Sequence, residues 1–238
     1  MKNIQKTNSV YGSTCNLESI TLKSIVALGI KPNERLKQDG IKFLKLLPSN
    51  NISCAFFDPQ YRGVLDKLDY GNEGERQKGR STLVQMDESK ICEFVSGIDR
   101  VLVPSGHLFL WLDKYHLVEG INEWFKDTDL NVVDMITWNK LRMGMGYRTR
   151  RVSEYLMVLQ KSPKRAKGVW CIHNIPDVWD ESVSVKHPHG KPVNLQSELI
   201  SAVTKVGDVV MDPAAGSFSV MESAKKSGRW FIGCDLEG

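Results

Sequence analysis

A chain of 238 residues with 41% hydrophobic and 25% charged residues has the composition of an ordinary one-domain globular protein, which excludes disordered and fibrous classes. Its net charge of +4 permits a polyanionic partner without requiring one. Five scattered cysteines (Cys15, Cys54, Cys92, Cys171 and Cys234) form no CxxC, and no apolar run nears the ~20 residues that span a bilayer. The amino terminus lacks the apolar core of a signal peptide. The expected setting is therefore the reducing cytoplasm, with no membrane association, no disulfide framework and no metal.

In chain order, Asp39 and Gly40 form a turn before a short helix predicted over 41–47. Cys54 to Phe57 is a buried strand that runs into Asp58-Pro59. Residues 62–86 are polar and glycine-bearing and read as a loop. The spacing of Ile91, Phe94, Val95 and Ile98 predicts a helix over 89–103, and that of Leu117, Val118, Ile121 and Phe125 predicts another over 115–125. Strands are predicted from His107 to Leu112, Val132 to Trp138 and Tyr155 to Leu159, the last two paired as a hairpin. Residues 161–186 have little periodicity and read as a loop. Pro192 opens a helix carrying Leu195, Leu199, Ile200 and Val203 on one face. Two further strands, Val209 to Met211 and Trp230 to Cys234, end in Asp212-Pro213 and Asp235 and flank a helix over 219–226.

Strands alternating with helices predict an α/β fold: a doubly wound, mostly parallel sheet with a terminal antiparallel hairpin. In such sheets ligands bind outside the carboxyl ends of the strands, so Asp58, Asp212 and Asp235 are candidates for one shared site. Alone, each also reads as a strand-ending turn or a helix cap. The small residues of Asp212-Pro213-Ala214-Ala215-Gly216-Ser217 let backbone approach a ligand closely, and no Gly-Lys-Ser/Thr follows to make a phosphate loop. Asp235, at the end of the next strand, suits the two hydroxyls of a ribose. A nucleoside-containing cofactor is implied.

Three segments together resemble a known family. Asp58-Pro59-Gln60-Tyr61 resembles the Asp-Pro-Pro-Tyr motif of amino-methyltransferases, residues 212–218 their Asp-Pro-Phe-x-Gly-Ser-Gly loop, and His187-Pro188-His189-Gly190-Lys191-Pro192 their His-Pro-x-x-Lys-Pro segment. The order, catalytic motif first and cofactor loop last, is that of the β group of bacterial DNA amino-methyltransferases. The resemblance covers roughly residues 36–238. It implies a circularly permuted Rossmann-like domain spanning 1–238: a catalytic half (36–160), a short target-recognition or linker segment (161–186) and a cofactor-binding half (187–238).

What the resemblance implies for chemistry is specific. S-adenosylmethionine is the cofactor, held by Asp39, Asp58, Lys191, Pro192, Asn194, Asp212, Pro213, Ala214, Ala215, Gly216, Ser217 and Asp235. Asp39 alone reads equally well as the turn before its helix. The Asp58 carboxylate and the Pro59 carbonyl accept the protons of an exocyclic amine, and Tyr61 stacks on a base flipped out of double-stranded DNA. Gln60 stands where the family has a second proline, and Phe218 where it has a glycine. Asp58 favours N6-adenine methylation over N4-cytosine, which the family also includes. RNA or protein-glutamine methylation, or a DNA-binding module without catalysis, are the further alternatives.

The positive charge is clustered. Lys140, Arg142, Arg148, Arg150 and Arg151 lie in twelve residues without an acid, beside Gly144, Gly146 and Tyr147. This is the expected DNA-contacting loop, the other reading being a solvated hairpin tip. A second group, Lys161, Lys164, Arg165 and Lys167, carries a weaker signal of the same kind. His187 and His189 have no third ligand at sensible spacing for a metal. The short segment 161–186 leaves room for a second specificity subunit or a homodimer as partner.

Overall fold

The computed structural model describes residues 15–60, 86–144, 148–183 and 190–237. Among these, eight strands form one sheet: β1 (Leu36–Lys37), β2 (Ile52–Phe57), β3 (Leu102–Leu112), β4 (Leu130–Asn139), β5 (Ser153–Lys161), β6 (Val178–Asp180), β7 (Val209–Asp212) and β8 (Trp230–Asp235). Their spatial order is β1-β8-β7-β2-β3-β5-β4-β6. Only the β5 pairings, with β3 and with β4, are antiparallel. β1, the first of these strands in the chain, pairs with β8, the last, Leu36 opposite Cys234, and the two lie side by side at one edge of the sheet. That is the permuted order expected above.

Alternating side chains feed two cores. Ala55 and Phe57 of β2, with Leu108 and Leu110 of β3, pack on one face against α1 (Leu22–Ala27), α2 (Gly40–Leu46) and α3 (Glu88–Val101). Cys54, Phe56, Phe109 and Trp111 pack on the other against α5 (Val193–Val203) and α6 (Ser219–Lys226). Both faces are covered, so the central strands are apolar throughout, and β2 is buried at every residue. Removing one such ring, as in Phe57→Ala, costs about 3–5 kcal/mol.

The helix predicted over 115–125 is two pieces. Asp113 caps α4 (Lys114–Glu119) by accepting the Tyr115 and His116 amides, each at 3.0 Å. Gly120 then turns the chain at φ 89°, and a 3-10 turn from Asn122 to Trp124 buries Trp124 in the same apolar face. Residues 161–186 were expected to be irregular, yet they contribute β6, which lies outside the hairpin as the edge strand. Three residues are too few to show a period.

Candidate active site

β7 and β2 are neighbours, but the chain leaves β7 for α6 on one face and β2 for α3 on the other. A crevice opens where connections part in this way. β8, β7 and β2 lie side by side and parallel, so Asp235, Asp212 and Asp58 stand along one carboxyl edge. The β4–β5 hairpin root is at the same edge, because β5 runs antiparallel to β3 and β4 antiparallel to β5.

Lys191 ties this edge together. Its Nζ lies 2.9 Å from Asp58 Oδ2 and 2.7 Å from Glu154 Oε2, and 4.9 Å above the Trp111 ring. The other oxygen of Glu154 accepts from Lys140, whose Nζ lies 5.4 Å above Trp138, and the two tryptophans meet edge to face. Burial pushes Glu154 upward, but Lys191 and Lys140 outweigh it and hold its carboxyl at about 2. Burial also opposes the charge on Lys191, yet Asp58 and Glu154 keep it above the ordinary lysine range. For Asp58, burial wins: its carboxyl is raised, with Lys191 opposing and Glu154 adding.

Asp212 stands in a different field. It is 4% exposed, its Oδ1 accepts the Ala214 amide at 3.0 Å, and no salt bridge reaches it among the described residues. Burial, with smaller additions from Asp58 and Asp235, pushes it up to about 8 against that hydrogen bond. Asp235 accepts the Gly216 amide at 3.1 Å on one oxygen and the Glu237 amide at 3.0 Å on the other. Pro213 is buried, and its carbonyl comes so close to Gly40 that a Cβ there would sit 2.1 Å from it. Only glycine fits this contact between the start of α2 and the 212–217 loop. Asp39 caps α2 through the Lys42 amide at 3.0 Å.

Gly216 is exposed at φ 49°, and Ala215 donates its amide to the Cys234 carbonyl. Phe218, in the family's glycine position, also holds a left-handed backbone (φ 60°). An L residue there stores about 1–3 kcal/mol of strain, offset by packing against Phe231 and under the Arg35 guanidinium, 5.1 Å away. Ser217, Phe218, Arg35, Lys191 and Lys225 line a cleft of about 510 Å³. Pro192 precedes the first turn of α5, and the exposed Asn194 accepts from Lys226. Pro59 is buried, while Gln60 is exposed and bonds Met86 through its carbonyl. Tyr61, His187 and His189 lie outside the described residues, as do Gly146 and Tyr147.

Of the basic residues, Arg142, Arg148 and Arg150 are exposed. Arg150 also holds the hairpin through the Gly144 carbonyl at 2.8 Å, and Arg151 lies 5.2 Å over the Tyr115 ring. Lys140 turns inward to Glu154. In the second group Lys161 is 8% exposed and donates to Asn50 Oδ1 and to the Asp99 and Leu102 carbonyls, at the opposite end of β5 from this edge. It is an internal tether.

Two participants were not anticipated from the sequence. Glu154 is the hub described above. Glu181 accepts the Asn194 and Leu195 amides and so caps α5 from outside its sequence. A hint for Glu154 was present: it is the single acid at the start of a strand that follows three arginines.

Comparison with known proteins bears on this edge. The sequence profile of a family described as DNA methylase, the N6/N4 methyltransferases, matches residues 52–238. The chain is 55% identical over 207 residues to the type II methyltransferase M.HhaII of Haemophilus parahaemolyticus, covering 86% of this chain and 91% of that protein. It is 26% identical over 226 residues to M2.DpnII of Streptococcus pneumoniae, covering 84% and 83%. In fold it is similar to M1.HpyAVI, solved in complex with SAM (TM-score 0.61, 18% identity, 86% and 94% covered). It is similar also to the cytosine-N4-specific PvuII DNA methyltransferase (TM-score 0.64, 16% identity, 87% and 85% covered).

Proposed function

The chain belongs to the N6/N4 DNA methylase family, and from that premise we propose that it transfers a methyl group from S-adenosylmethionine to the N6 amine of adenine in double-stranded DNA. Methyl transfer to DNA from this cofactor is the activity of the family; the choice of base is the new step. The observation that carries it is Asp58 itself: a carboxylate at the end of β2, about a third exposed toward the crevice and held on one side by Lys191 at 2.9 Å. In the family that the motif resembles, the first residue is usually Asp or Asn in adenine enzymes and Ser in N4-cytosine enzymes.

The residues present fit the cofactor. Asp212 is a buried acid near two further carboxylates, an arrangement that favours a cationic ligand. Asp235 is half-buried with each oxygen already oriented by one amide, which leaves lone pairs for a diol. When bound, S-adenosylmethionine supplies a methyl carbon activated by a sulfonium. Asp235 would hold the ribose, Asp39 and Pro213 the adenine end, and Lys191, Pro192 and Asn194, with Ala214, Ala215, Gly216 and Ser217, the remainder.

The chain's own work is orientation and charge. The lone pair of an exocyclic amine is delocalised into its ring, so acceptors for both N–H groups help the nitrogen become tetrahedral. Asp58 and the Pro59 carbonyl would be those acceptors, with Tyr61 stacked on the flipped base and Gln60 exposed beside it. Arg142, Arg148, Arg150 and Arg151 would meet DNA phosphates from the hairpin at the same edge, while Lys140 supports that hairpin from within. Labelled methyl transfer to unmethylated DNA, followed by nucleoside analysis, tests the reading. N6-methyladenine is the expected product, and N4-methylcytosine alone would overturn it.

A further inference from the structure

We propose that Glu154 is a positioning residue of the methyl-transfer site: by sharing Lys191 with Asp58 and binding Lys140 at the root of the basic hairpin, it keeps the Asp58 carboxylate an effective acceptor for the target amine. The inference rests on the reading that Asp58 receives that amine.

The geometry sets the argument. Glu154 is the second residue of β5, and its fork faces two ammonium groups, Oε2 to Lys191 at 2.7 Å and Oε1 to Lys140. Lys191 reaches Asp58 at 2.9 Å through Oδ2. An isolated Asp58–Lys191 pair would hold the carboxylate in a tight ion pair, and a carboxylate so neutralised accepts a further hydrogen bond weakly. Adding Glu154 changes the local charge from zero to minus one, and the lysine's closer contact is with Glu154. Lys140 restores neutrality one step away from Asp58. The chain of alternating charge Asp58, Lys191, Glu154, Lys140 therefore keeps Lys191 as a locating donor while relieving Asp58 of part of its field.

The charged groups acting on Asp58 come from several elements. Lys191 precedes α5, Glu154 lies on β5, Lys140 follows β4, and Asp212 ends the adjacent β7. Of these, Lys191 and Lys140 lower the Asp58 carboxyl and Glu154 raises it, each as its charge requires. Replacing Glu154 and Lys140 therefore moves Asp58 in opposite directions. A role in folding alone has no such sign.

The test uses the cofactor-free protein and its variants E154Q, E154D and K140M. The Asp58 carboxyl is followed by carbon-13 NMR titration, its signal assigned by disappearance in D58N. E154Q is expected to lower the Asp58 midpoint by about one pH unit and K140M to raise it. In turnover at saturating DNA and S-adenosylmethionine, the acidic limb of the pH profile should move the same way. Turnover of E154Q should fall about tenfold while KM for the cofactor changes little, and E154D should recover most of the loss. K140M leaves the contacts of Lys191 with Glu154 and Asp58 in place, so it keeps the proposal testable even if E154Q does not fold. An Asp58 midpoint unmoved in both variants, or moved the same way by both, overturns the proposal. D58N turning over at the wild-type rate would instead overturn the reading of Asp58 on which it rests.

Discussion

Asp58-Pro59 and Asp212-Pro213 are the same dipeptide at the carboxyl ends of two adjacent parallel strands, yet they are different chemical groups. Asp58 has an ammonium 2.9 Å away and keeps about a third of its side chain exposed. Asp212 is sealed under the loop that follows it, with one amide donor and two neighbouring carboxylates, and is pushed up to about 8. Asp58 meets its burial with an ion pair at the open edge, whereas Asp212 has no ion-pair partner among the described residues and burial favours its neutral form. Local sequence makes the two alike, and the topology that brings Lys191 across from the far half of the chain separates them.

The largest expected effect breaks the comparison at Asp58. D58A should reduce methyl transfer by about 10²–10⁴-fold, the usual contribution of a positioned proton acceptor, while cofactor affinity measured by calorimetry stays within a few-fold. Lys191 keeps Glu154 as its partner, so the fold should survive. Equal loss of cofactor affinity and turnover would mean that Asp58 and Asp212 serve the same ligand.

At Asp212 the expectation concerns stability and has the opposite pH dependence from a salt-bridged acid. Burial pushes this carboxyl up to about 8 in the folded protein, from an ordinary value near 3.8. Between those values the folded state binds the extra proton, so stability falls as pH rises through that window, with no penalty below it and the full penalty above. D212N removes the penalty. In urea unfolding without cofactor it should be more stable than wild type by on the order of 5 kcal/mol at pH 8, the gap closing toward pH 4. A difference independent of pH would show that Asp212 is ionised in the folded protein.

Asp235 extends the comparison to β8. It is oriented by two amides and is not sealed, and D235A should weaken S-adenosylmethionine by roughly 1.5–3 kcal/mol in a calorimetric titration. Unchanged affinity would remove it from the cofactor site.

How legible the two regions were follows from the range of the signals. An apolar run ending abruptly in an acid is a local pattern, and it located β2, β7, β8 and all three edge acids. The helices over 193–203 and 219–226 were legible for the same reason, since apolar periodicity survives burial on one face. The apolar spacing over 115–125 does not show the break at Gly120, where the structure keeps the burial of Ile121 through a 3-10 turn instead of a continuous helix. β1 and β6, with two and three residues, exist because neighbouring edges offer them hydrogen bonds. Glu154 was illegible as a hub because its partners lie 14 and 37 residues away, and only the hairpin and the return of the chain to α5 bring them together.

The smallest expected effect concerns the tip of the hairpin, where the comparison is between basic residues that face water and those that do not. Lys140 is bound to Glu154 and Arg151 lies over Tyr115, so replacing either disturbs the hairpin as well as any DNA contact. Arg150 bonds the Gly144 carbonyl as well, so the exposed Arg142 and Arg148 are the cleaner probes. Each phosphate they neutralise releases condensed counterions, which lowers the slope of log affinity against log salt by about 0.9. The double variant R142A/R148A should therefore flatten that slope by up to ~1.8 while leaving the cofactor affinity unchanged. An arginine that reads a base edge would instead relax sequence preference at one position with a smaller change of slope. DNA affinity of wild type and double variant across a salt series separates these outcomes, and coincident lines would make the tip a solvated turn that DNA never meets.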